Sequence, residues 1–89
     1  MTNFRTSTES RVISKTRIEF NTGVVTMEEV ERTDTFQDGS VKVYSVYMKE
    51  DDRIHTKLGH IYAEYKTKAS FNASIRRLQK QADSEYKKY

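Results

Sequence analysis

The chain has no cysteine, no proline, no tryptophan and only three glycines among its 89 residues. Without cysteine there is no disulfide, no thiolate metal ligand and no cysteine nucleophile. That fits a reducing compartment, and the cytoplasm is the expected location. Three glycines cannot build a phosphate-cradling loop, and neither a Walker-type motif, a GxGxxG turn nor a GxSxG elbow occurs. No apolar run approaches the roughly 18 residues of a membrane span. The opening MTNFRTSTES lacks the hydrophobic stretch of a secretory signal, so no membrane association is expected. His55 and His60 are the only histidines. Five apart on a strand, they point to opposite faces unless a bulge at Gly59 realigns them, and no metal site is expected. No nucleophile–base pair stands out, so the reading is of a non-enzymatic protein without metal or cofactor.

What remains is one short domain with a small core. Hydrophobic residues make up 35% and charged residues 33%, a balance near that of disordered chains. The apolar residues are patterned, however, and ten aromatics (six Tyr, four Phe) provide bulk. An ordered fold is expected, with residues 1–10 as a polar, frayed lead-in.

Residues 11–20 alternate as a strand, with Val12, Ser14, Thr16, Ile18 and Phe20 on one face. Asn21–Thr22–Gly23 is a turn signal. Residues 24–36 form a second, β-branched-rich strand. Asp38–Gly39 is the strongest local signal, a hairpin turn into a third strand over 40–49. Glu50 to Arg53 turns the chain again. A fourth strand is expected over 54–65, with Gly59 as a bulge. A two-residue loop at Asp38–Gly39 sets Phe36 opposite Val41, Val30 opposite Tyr47 and Glu28 opposite Lys49; a three-residue loop shifts the pairing by one.

The C-terminal stretch closes the fold. Phe71, Ile75, Leu78, Ala82 and Tyr86 step by four, three, four and four, which is one stripe of a helix over about 70–87. Ser70 or Thr67 caps it. The fold class is therefore α+β, a four-stranded antiparallel meander followed by one helix packed on one sheet face.

Two surface features bear on function. The net charge of +3 is uneven: residues 66–89 hold seven basic and two acidic residues, leaving nine basic and eleven acidic in residues 1–65. Arg76, Arg77 and Lys80 lie off the apolar stripe with little acidic compensation. With Lys42, Lys57, Tyr44 and Tyr62 from the strands, they form a candidate single-stranded RNA or DNA site, because single strands are held by cations together with aromatic stacking. The element order is similar to that of the whirly-type single-strand binders, which act as dimers or higher oligomers. The second feature is a hairpin apolar on both faces, of which one helix covers only one. Under the two-residue loop, Met27, Tyr44, Val46 and Met48 share a face and form a candidate partner interface. The composition looks like that of the compact single-domain proteins phages encode to bind host factors, which implies an inhibitor or adaptor. The expected partners are a nucleic acid or an acidic protein, with the second face buried in a homodimer.

Overall fold

The computed structural model describes residues 2–54 and 61–86. Four antiparallel strands form one sheet in the order β1 (Arg5–Phe20), β2 (Gly23–Phe36), β3 (Val41–Arg53), β4 (Ile61–Tyr65), followed by a single helix, α1 (Lys68–Tyr86). This is the α+β meander read from the sequence. His55, Lys57, Gly59 and His60 lie outside the described residues.

β1 and β3 are longer than their local signals, whereas Ile54, the first residue of the expected fourth strand, lies in a turn and β4 is described over Ile61–Tyr65. β1 begins at Arg5, six residues before the expected boundary, because Arg5 to Ser10 pair with the far half of β2. Glu50 to Arg53 do not turn. They continue β3 opposite Gly23 to Thr26, and Asp51 is buried with a two-pronged bond from Arg53, whose Nε lies 2.8 Å from Oδ1. The guanidinium also sits 4.6 Å over the Phe20 ring. An acidic run that reads as a turn in isolation is thus a charged clip at the end of the core. The Asp51 carboxylate holds the Arg53 pKa above its ordinary value despite partial burial.

The turn between β2 and β3 decides the register. Phe36 N–H donates to the Ser40 carbonyl (2.9 Å), and Gly39 takes a positive φ of 86°. Gln37, Asp38 and Gly39 therefore make a three-residue loop with glycine in the left-handed position. Asp38 accepts from the Ser40 N–H at 2.9 Å. Thr35 now faces Val41, Val30 faces Val46, and Met27 faces Lys49. The register of the two-residue loop is corrected by one residue, and a one-residue slip exchanges faces.

A bulge in β1 has a similar consequence. Val12 pairs with Val30 but Ser14 pairs with Glu29, so Ile13 is the extra residue. The expected single face from Val12 to Phe20 is therefore split. Ile18 and Phe20 turn to the helix side, and Val12 turns to the opposite side with Val30.

The core lies between α1 and one half of one sheet face. Ile18, Phe20, Val25, Met27, Phe71, Leu78 and Ala82 are buried there, with Tyr47, Tyr65 and Ile75 against them. Thr67 is the helix cap, accepting from the Ser70 N–H at 3.1 Å. Buried Ser74 bonds the Tyr65 hydroxyl at 2.6 Å. At the far end Glu85 accepts from the Asn21 N–H at 2.9 Å. α1 therefore crosses the sheet from β4 to the β1–β2 turn.

Length explains what the helix leaves bare. Nineteen helical residues reach about 28 Å, whereas sixteen strand residues reach about 54 Å. The molecule measures 61 × 27 × 17 Å. Beyond the helix, residues 5–12, 30–36 and 41–46 project as a three-stranded arm.

Candidate interaction surfaces

The sequence-derived nucleic-acid residues fall on two sides of the molecule. Arg76, Arg77 and Lys80 are exposed on the outer face of α1, and none has an ion-pair or hydrogen-bond partner among the described residues. The nearby acid Asp83 bonds Gln79 instead, at 3.3 Å. Lys42, Tyr44 and Tyr62 lie on the sheet face opposite α1, as their register with Asp34, Arg32 and Glu50 requires. The helix cations therefore do not share a groove with the sheet aromatics; on the sheet face Lys42 lies 5.4 Å from the Tyr44 ring. Tyr62 is 65% exposed but lies opposite Glu50 and shares its face with Glu64, which opposes a phosphate chain there. Lys57 is outside the described residues.

The expected partner interface also divides. Met27 is fully buried under α1, a correction that follows from the one-residue register shift. Tyr44, Val46 and Met48 stay together on the uncovered face and are half-buried only by their neighbours. There Val12, Val30 and Val46 stand in direct register across β1, β2 and β3. Val12 is 52% exposed. Phe36, Tyr44 and Met48 extend this row on the same face. The result is an apolar strip across three strands whose middle residue, Val30, is covered by its neighbours on the sheet, while Val12 is exposed and Val46 half-buried.

Near the arm tip the same face holds a polar knot that sequence reasoning missed. Buried Asp34 accepts from the Thr8 hydroxyl at 2.7 Å, with Arg5 3.9 Å away. Its partners come from a strand 26 residues earlier, so no local signal marks it. The Thr8 bond lowers the Asp34 pKa against the opposing effect of burial, helped by Tyr44 and by the charges of Arg5 and Lys42. Asp38 is lowered too, first by the Ser40 hydroxyl and then by the Ser40 N–H. A depressed carboxylate stabilises the fold fully above the unfolded aspartate pKa of about 3.9, and that stabilisation is lost as pH falls through the folded value. The arm should therefore loosen below about pH 4. Amide exchange at residues 5–12 and 30–44 should accelerate there, and Asp34→Asn should flatten the dependence. Unchanged arm protection between about pH 6 and pH 2.5 would contradict this.

No cluster of metal-binding side chains occurs among the described residues, and no described helix is long and apolar enough to cross a membrane. The surface depressions are shallow; one at the arm tip is lined by Thr2, Asn3, Gln37 and Asp38. No family model, curated protein or solved structure matches this chain.

Proposed function

We propose that the chain is a non-enzymatic binding module that docks a protein partner on the sheet face turned away from α1. The row Val12–Val30–Val46 carries this reading. An antiparallel sheet with one wet face alternates apolar and polar residues, whereas here an apolar strip crosses three strands on the open side. Such strips mark interaction sites. Tyr44 and Met48 flank it and supply the adaptable and aromatic contacts common at interface centres.

The test is the double substitution Val46→Lys with Met48→Lys. Met48 stands opposite Glu28 and Glu64, so lysine is tolerated there, and long lysine stems lie along apolar surface. Proteins retained by the immobilised wild type should be depleted about tenfold or more with the variant, a loss of ~1.4 kcal/mol or more in docking free energy. Equal retention by both would overturn the reading.

A second reading is favoured by one observation, the three cations on α1 that have no partner among the described residues. It is nucleic-acid binding by the helix alone. Fluorescence anisotropy with a single-stranded RNA at about 50 and 200 mM salt tests it. Serine at Arg76, Arg77 and Lys80 should weaken binding and lower the salt slope by about one per lost phosphate contact. The added lysines of the sheet variant should leave such binding intact, so the two readings separate cleanly. Absence of binding at the lower salt would exclude the second.

A further inference from the structure

The backbone of β3 supplies a separate observation. Phe36 N–H points at β3, and backbone groups alternate sides along a strand. Asp34 therefore also points at β3, and its register partner Lys42 points back at β2. By the same alternation Val41, Val43 and Ser45 turn their N–H and C=O groups outward. β4 pairs with β3 only from Tyr47 to Asp51. Beside Val41–Ser45 no strand lies among the described residues. Val41 and Val43 are 56% and 59% exposed, and Lys42 is the only charge from Val41 to Val46.

We infer that this open edge pairs with the same edge of a second copy, antiparallel, across a two-fold axis at Val43. An extended edge rich in β-branched residues is a template for another strand. The other long edge, on β1, carries Arg5, Glu9 and Arg11 and is blunted by charge. Self-complementarity selects the occupant and the register. Centred on Val43, the pairing sets Val43 against Val43, Val41 against Ser45, and each Lys42 against the Tyr44 of the other copy. All three outward residues are then used, with about six hydrogen bonds. Lys42 already lies 5.4 Å from its own Tyr44 ring, so a tyrosine opposite it continues a favourable environment. Centring on Lys42 would oppose two ammonium groups. Centring on Tyr44 would direct Val41 to Tyr47, which Tyr65 already occupies. The product is one continuous sheet from two chains, and it leaves the face opposite α1 open.

The experiment uses the full chain. Sedimentation at about 100 μM should give twice the 10.5 kDa chain mass. Val43→Pro removes an outward N–H that the fold itself does not use, so it should give a monomer with an unchanged far-UV spectrum. Should that variant unfold, Val43→Cys decides. The chain has no other cysteine, and opposed residues of a hydrogen-bonded antiparallel pair lie about 5.5 Å apart, within disulfide range. Mild oxidation should link Val43→Cys into a dimer and leave Val12→Cys unlinked. A wild-type monomer overturns the inference, and so does a dimer that Val43→Cys does not link. Partner capture by the opposite face is read separately through Val46→Lys with Met48→Lys.

Discussion

Replacing Phe71 with alanine should lower stability by about 3–5 kcal/mol. Phe71 is 3% exposed and is the first helical side chain set into the sheet. Its ring lies 5.3 Å from that of Tyr47 and 6.0 Å from that of Tyr65, so truncation removes two aromatic contacts as well as buried area. The surroundings cannot collapse easily onto the space, because Tyr65 is held by its bond to Ser74. A domain of this size has about 4–13 kcal/mol in total, so a large part of it would go. Urea titration followed by circular dichroism should show the midpoint falling with the slope unchanged, and the melting temperature should drop by about 12 °C or more. Arg77→Ala, on the exposed side of the same helix, should change stability by no more than about 0.5 kcal/mol. A Phe71→Ala loss below about 1 kcal/mol would mean that α1 is not seated on this face.

Gly23→Ala should be nearly as damaging, for a reason of backbone geometry. Gly23 has a φ of +143°, which side-chain-bearing residues rarely adopt. A Cβ there would also meet the Asp52 carbonyl oxygen and the Arg53 Cα at 2.8 Å. Both are main-chain atoms of β3, so relief requires prising β2 from β3 beside the Asp51–Arg53 clip. The expected loss is about 2–4 kcal/mol. Gly39→Ala is the matched comparison. Gly39 also has a positive φ, of 86°, but nothing lies within 4 Å of the added carbon. Its loss should be about 1 kcal/mol, the conformational part alone. Equal losses at the two positions would show that the close approach at Gly23 contributes nothing.

The comparison of these glycines illustrates what local sequence can and cannot carry. Both are legible as turn residues, since Asn-Thr-Gly and Asp-Gly are turn chemistry wherever they stand. That Gly23 is pressed against β3 depends on a strand thirty residues later, and nothing near it in the chain announces this.

The sequence by itself determined the element order, the α+β class, the two hairpin turns and the inward stripe of the helix. Each rests on a period or a turn preference that acts within a few residues. For the same reason it placed Arg76, Arg77 and Lys80 on the outer face of α1. Tertiary structure decided the faces. Side chains alternate with a period of two, so a three-residue rather than two-residue loop at Asp38–Gly39, and one bulge at Ile13, moved whole rows of residues across the sheet. Met27 went under the helix, Val12 joined Val30 and Val46 on the open side, and Lys42 and Tyr44 parted from the helix cations. The short reach of the helix against long strands left the arm bare, a single helix left the opposite sheet face open, and the short pairing of β4 left the edge of β3 from Val41 to Ser45 without a neighbouring strand among the described residues. Those surfaces exist because of distances between elements, and distances between elements are what pairing and packing supply.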